Sequence, residues 1–294
     1  MKKIIIASFL LIMIILGLSC KKENKNQQQN ADTIVNKQEL NKTFYLVPSP
    51  EDIFGFADEK TLKFVSELLN PESNLNKYNE VKYQEFNFGV YAADLAYCAA
   101  STKNDETTKY LNIVRKLSQS IGLSDVFNES LIYRIEHISP IKDSLIAISN
   151  DTYFDILRYL EKNQRDATLS IMACGGWIES IYLVINQIKY SKESLIIQKI
   201  ADQKYIVTNL WKLLEQNQQD QNVQSIKNEF EKIYKIYEVL EIKIDEKNPT
   251  TSQNDKIIIV GGNLKVEISE NEFEDLKKYI NEVRNNLTLN NVSN

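Results

Sequence analysis

The chain has 294 residues, with 35 Lys and Arg against 40 Asp and Glu, a single His, three Cys, eight Gly and five Pro. An acidic balance with no basic block beyond Lys21 and Lys22 lacks the electrostatic footprint of nucleic-acid binding. One His and no Cys pair at ligand spacing argue against a zinc or redox-metal site, and so few Gly and Pro favour helices over strands and turns.

Residues 1–19 read as a targeting segment. Lys2 and Lys3 form a basic start, and Ile4–Leu18 is an apolar run too short for a comfortable membrane span. Gly17-Leu18-Ser19-Cys20 then resembles a bacterial lipobox, with a small residue before the Cys and Gly17 where Leu is usual. The resemblance implies cleavage before Cys20 and acylation of that residue, palmitate included. Cys20 is thus the expected lipidation site and the expected contact with the membrane. Cleavage would remove Lys2 and Lys3 and move the formal charge from −5 to −7. Residues 20–42, rich in Asn, Gln and Lys and without periodicity, read as a disordered tether.

Residues 43–294 read as a single, mostly helical domain. Ser49, Pro50 and Asp52 suit the N-cap, N1 and N3 positions of a first helix. A helical run from Asp58 stops at Asn70-Pro71. A central helix ends near Ser101, and Asp105–Ile121 follows, with Tyr110, Val114, Leu117 and Ile121 at helical spacing and Gly122 as its stop. Further helices are expected over Asp125–Ile138, closed by Ser139-Pro140, and over Asp143–Lys162, with a break near Ser149-Asn150. Others are expected over Asp166–Lys189, Ser194–Gln216 and Asn222–Glu246. Lys247–Asp255 reads as a loop. A hairpin over about residues 256–268 turns at Gly261-Gly262 or Gly262-Asn263, with Leu264, Val266 and Ile268 alternating on one face. Ser269 and Glu272 form a capping box for a final helix over about residues 269–286. No period of 20 to 50 residues repeats, which argues against a repeat solenoid.

Two helices stand out. In Phe86–Ala100, Gly89, Ala93, Ala96 and Ala100 make a small-residue face, Phe88, Ala92, Leu95 and Ala99 an apolar one, and Asn87, Tyr91, Asp94 and Cys98 a third. A helix without a polar face is a buried one. Asp94, flanked by Ala92, Ala93, Leu95 and Ala96, needs hydrogen bonds or a cation, or it stays neutral. The second helix carries MACGGWIESIYLV, in which Gly175 and Gly176 together cost about 2 kcal/mol of helix propensity. A close helix crossing at the glycines accounts for them; the alternative is a cavity floored by backbone, with Trp177 and Glu179 at its rim. Cys98 and Cys174 lie beside small residues in these two helices, either as free buried thiols or as a bridge between them. His137 reads as a surface or helix-end residue.

Motifs for nucleophilic, phosphate-binding and zinc chemistry are absent: there is no G-x-S-x-G, P-loop, G-x-G-x-x-G, H-E-x-x-H or EF-hand loop, and no cofactor is expected. One constellation remains. If the two unusual helices pack through their small faces, Asp94 and Glu179 approach each other, and paired carboxylates in different environments can do acid–base work. The bland alternative pairs each with Tyr or with an Arg, for which Arg115, Arg134, Arg158 and Arg165 are available.

The order Pro48-Ser49-Pro50, Leu68-Leu69-Asn70-Pro71, Asn87-Phe88-Gly89-Val90-Tyr91, Ala93-Asp94-Leu95-Ala96-Tyr97 and Gly175-Gly176-Trp177-Ile178-Glu179, with the C-terminal Gly-Gly hairpin and helix, resembles a family of Bacteroidetes envelope lipoproteins. The resemblance covers most of the chain after the tether. It implies a Gram-negative envelope and a mostly helical domain, and it implies no activity. Ala92 stands where that pattern has Gly. Asp32-Thr33-Ile34 and Asp143-Ser144-Leu145 resemble the short O-glycosylation signal of that phylum.

The expectation is therefore an all-α, irregular multi-helix bundle with one small β-hairpin near the C-terminus, anchored by lipid in the outer membrane of a bacterial cell envelope. The leading function is non-enzymatic binding of a partner protein or small ligand, with a candidate ligand site at Asn87, Tyr91, Asp94, Trp177 and Glu179. A structural envelope component without a ligand is the runner-up, and a hydrolase using Asp94 and Glu179 the remote alternative.

Overall fold

Gly89 and Gly175 explain how the centre of the molecule is built. In the computed structural model, helix α1 (Val81–Ala100) and helix α4 (Asp166–Ile185) touch backbone to backbone at these residues. A Cβ at Gly89 would lie 2.1 Å from the Met172 carbonyl oxygen, and one at Gly175 would lie 2.0 Å from that of Phe86. Only glycine permits this approach, so the propensity lost in the helices is exchanged for close packing. Contacts climb both helices in the same sense, from Glu85–Thr168 to Tyr97–Gln187, so the two run side by side in one direction. By length and composition α4 could cross a membrane, but most of it is buried inside the fold.

The structure describes residues 62–127, 130–131, 133, 142–254 and 257–289, which fall within one compact unit. The targeting segment, Cys20, the tether, the Ser49 cap, Arg134, His137 and Ser139-Pro140 lie outside the described residues, as does Asp32-Thr33-Ile34.

Around the central pair, α2 (Asn104–Ser120) buries Tyr110, Val114 and Leu117 and ends at Gly122, whose φ of +68° is the left-handed stop expected of it. Helix α3 (Lys142–Lys162) runs unbroken through Ser149-Asn150, contrary to expectation, and anchors Ile156, Leu157 and Leu160 in the core. Asp125–Phe127 form a turn rather than the start of a helix. The expected helix over Ser194–Gln216 is two helices, α5 (Leu195–Asp202) and α6 (Lys204–Gln216), parted at Gln203. Helix α7 (Gln221–Val239) starts on an Asp220 cap and buries Val223, Ile226, Phe230, Ile233 and Tyr237. It ends seven residues short of the expected Glu246, where Lys204 Nζ donates to the carbonyls of Tyr237, Glu238 and Leu240. Final helix α8 (Glu270–Thr288) opens on the capping box of Ser269 and Glu272.

The hairpin is longer than expected. Strand β1 (Ile242–Asn254) pairs antiparallel with β2 (Ile257–Val266), Ile242 opposite Val266 and Asn254 opposite Ile257. Residues 242–254, expected as helix and loop, are therefore strand. Gly261 and Gly262 are not the turn; they lie within β2 opposite Thr250 and Pro249, beside the irregularity that follows Asp245. Glycine inside a strand at a bulge is the usual reason for such a placement. Eight α-helices and this one two-stranded sheet make the described fold all-α with a small hairpin.

The segment before α1 departs most from its sequence pattern. Leu62–Val65 has no regular secondary structure, with Val65 extended, and only Ser66–Leu68 makes a short 3₁₀ turn, where a helix to Asn70 was expected. The core claims its backbone groups instead. Tyr97 OH accepts from Val65 N–H at 3.0 Å and donates to Lys63 O at 2.6 Å. Leu68 O accepts from Arg284 at 3.3 Å, and Asn70 N–H donates to Asp94 at 3.1 Å. We refer to Leu62–Tyr78 as the strap.

Candidate functional site

Helices α1, α4 and α8 contribute two carboxyl groups and a guanidinium to a single sealed cluster beneath the strap. Asp94 and Glu179 are both 0% exposed, and Arg284 is 5% exposed. The crossing at Gly89 brings the two helices together, and the Asp94 and Glu179 carboxyl groups act on each other electrostatically. Arg284 grips Glu179 with two parallel bonds, Nε to Oε2 and Nη2 to Oε1, each 2.9 Å. This planar fork is the strongest geometry available to a guanidinium and a carboxylate. The guanidinium also lies 4.4 Å from the centre of the Tyr182 ring.

Asp94 is held differently. Its Oδ2 accepts the Asn70 N–H, while Oδ1 faces no donor. Burial, then the Glu179 charge, push its pKa well above the ordinary carboxylate range, against the opposing pull of Arg284 and the Asn70 N–H. Burial disfavours the Arg284 charge, but the Glu179 carboxylate outweighs it and the guanidinium is held charged.

A ring of neutral groups completes the cluster. Asn70 donates through Nδ2 to Tyr78 OH at 3.0 Å and to Asn87 Oδ1 at 3.3 Å, and its carbonyl accepts from Tyr110 OH at 3.0 Å. Asn87 Nδ2 donates to the carbonyls of Tyr83 and Leu287, Tyr78 OH to that of Thr288, and Tyr91 OH to that of Pro71. Burial pushes the Tyr78 hydroxyl up to about 12 and raises Tyr91 and Tyr110 as well, so all three stay neutral donors.

The structure thus unites four of the five candidate residues, Asn87, Tyr91, Asp94 and Glu179. Trp177 is elsewhere: it packs edge-on against Phe230 and Tyr237, and its indole N–H donates to Gln203 Oε1 at 3.0 Å. It is not at a rim. The break between α5 and α6 places Gln203 there to receive it. The glycines mark a close crossing rather than a cavity floor, and Cys98 and Cys174 are free buried thiols.

Arg284, the cation of the cluster, was absent from the sequence-level candidates; Arg158 and Arg165 serve Asp155 and Glu85 instead. Its signal was present. Phe273, Leu276, Ile280 and Leu287 form the buried stripe of α8, and Arg284 follows Ile280 by one turn, inside that stripe. Asn70, read only as a helix stop, and Tyr78 carry the rest.

With both carboxylates sealed, a solute reaches neither in this conformation. The cluster can store a proton and tie four parts of the chain together. Among the described residues no group of three or more His, Cys, Asp or Glu side chains is placed to hold a metal ion. No family model matches the chain, and neither a curated protein nor a solved structure matches it.

Proposed function

We propose that this chain is a lipid-anchored, non-enzymatic protein of a bacterial cell envelope, acylated at Cys20, which acts by binding a partner protein. The observation that carries the non-enzymatic reading is the closure of the candidate site. Glu179 is taken up by Arg284, Asn87 and Tyr91 donate to backbone carbonyls, and both carboxylates are closed to solvent. Binding a small ligand there would require breaking bonds the fold already makes, so a partner meets the outer surface and the polar core serves architecture. The lipobox at Gly17–Cys20 supports the anchor.

The anchor is tested by expressing the full chain in a Gram-negative host with a click-reactive palmitate analogue. Wild type should be labelled and recovered with the outer membrane, and Cys20→Ser should be neither. Equal labelling of both would overturn the assignment. The non-enzymatic reading is tested by screening the purified chain against glycoside, ester and peptide substrates. Turnover abolished by Glu179→Gln in a folded protein would restore the hydrolase.

A further inference from the structure

The cluster contains more negative than positive groups, and that imbalance has a mechanical consequence. Fully ionised, two carboxylates and one guanidinium leave a net negative charge sealed from water, which is expensive. Acting on Asp94 or sensing its charge are Glu179 and Tyr182 from α4, Arg284 from α8 and Tyr110 from α2, with Tyr91, Tyr97 and Cys98 on its own helix; Tyr78 from the strap faces Glu179 and Arg284. Of these, Arg284 alone is cationic, and Glu179 already occupies it. Asp94 Oδ1 is buried without a donor, and the Glu179 carboxylate acts electrostatically on the same side chain. One proton on Oδ1 resolves both anomalies: it neutralises the cluster and supplies the missing donor.

The strap lies on that proton. Asn70 N–H sits on the other oxygen of Asp94, and the Leu68 carbonyl sits on Arg284. We propose that the strap Leu62–Tyr78 is a proton-dependent latch: closing it traps one proton between Asp94 and Glu179, and opening it to water lets Asp94 ionise and the proton leave. Because the closed state holds a proton that the open state lacks, closure is complete at acidic pH and weakens as pH rises towards the closed-state titration of Asp94. Neither a lipid anchor nor a partner enters this coupling.

The test is hydrogen exchange by mass spectrometry on the full chain in detergent, with intrinsic rates corrected for pH and peptides of α4 as the internal reference. In wild type, protection of residues 62–78 relative to α4 should fall about tenfold per pH unit above the ordinary carboxylate range. In Asp94→Asn, whose amide can donate to Glu179 and accept from Asn70 without titrating, it should be flat. Parallel pH profiles in the two proteins would overturn the latch. Should the variant fail to fold, infrared spectroscopy of the wild type decides alone. A protonated aspartic acid C=O band at neutral pH, lost together with strap protection at high pH, supports the latch; its absence at neutral pH refutes it.

Discussion

The pair α1 and α4 carries a carboxylate–arginine site at each end, and the two are built on different terms. At one end Glu85 accepts from Thr168 Oγ1 at 2.7 Å and stands 3.8 Å from Arg165. That guanidinium is 28% exposed and donates to Ile121 O and Gly122 O at the end of α2 and to Thr168 Oγ1. At the other end Glu179 and Arg284 are sealed and joined at 2.9 Å, with a second acid beside them. The edge site is one buried acid near one partly exposed base, loosely coupled; the inner site is two acids on one base, all three buried, and balanced only by a proton. The exposure of the arginine and the geometry of the pair, rather than residue type, separate a loose contact from a structural tie.

Breaking the inner site should have the largest effect. Arg284→Met leaves two acids buried without a cation, and chemical denaturation should show a loss of about 3–5 kcal/mol. Between the two sites, the crossing itself can be broken. Gly89→Ala forces a Cβ to within 2.1 Å of a carbonyl oxygen, and denaturation should report a loss of about 3 kcal/mol. Gly176→Ala is the control that sharpens the point. Its nearest neighbour is Gly89 O at 3.5 Å, so the gain in helix propensity, up to about 1 kcal/mol, should survive.

The pH dependence separates the sites next. Burial raises the Glu85 carboxyl as well as Asp94, and raised acids contribute stability that is complete below their unfolded values and lost as pH rises through the folded ones. Unfolding free energy should therefore fall between the ordinary carboxylate range and neutrality, by at most about 1.4 kcal/mol per pH unit for each group. Asp94→Asn should remove the larger part of that slope and Glu85→Gln the smaller. Near 1 kcal/mol, Trp177→Phe should register the buried Gln203 oxygen left without its donor. Arg165→Met, which leaves Glu85 its bond from the Thr168 hydroxyl, should lower the unfolding free energy by about 1 kcal/mol.

Some of this was legible in the sequence for physical reasons that can be named. Small residues at Gly89 and Gly175 require a close neighbour, so the crossing could be read. Asp94 among alanines requires compensation, so the anomaly could be read. Its cation could not be fixed, because the chain between Glu179 and Arg284 folds back through three helices and a hairpin before the pair meets. The strap was misread because periodicity speaks of local helix, while Tyr97, Arg284 and Asp94 offer its backbone groups tertiary partners that a helix would have used internally. The hairpin was misplaced because Gly261-Gly262 has turn chemistry. The pairing that begins at Ile242 and Val266 runs past it to Asn254 and Ile257.

The most direct measurement compares the unfolding free energies of wild type, Asp94→Asn and Asp94→Ala at pH 7. If Asp94 is a protonated structural tie, Asn reproduces its hydrogen bonds and avoids the uptake of a proton on folding, so it should be no less stable than wild type. Ala strands the buried Asn70 N–H and should be less stable by about 2–3 kcal/mol. A loss of about 3 kcal/mol or more in Asp94→Asn would contradict the account, because it would mean that the charge of Asp94, not its proton, holds the core together.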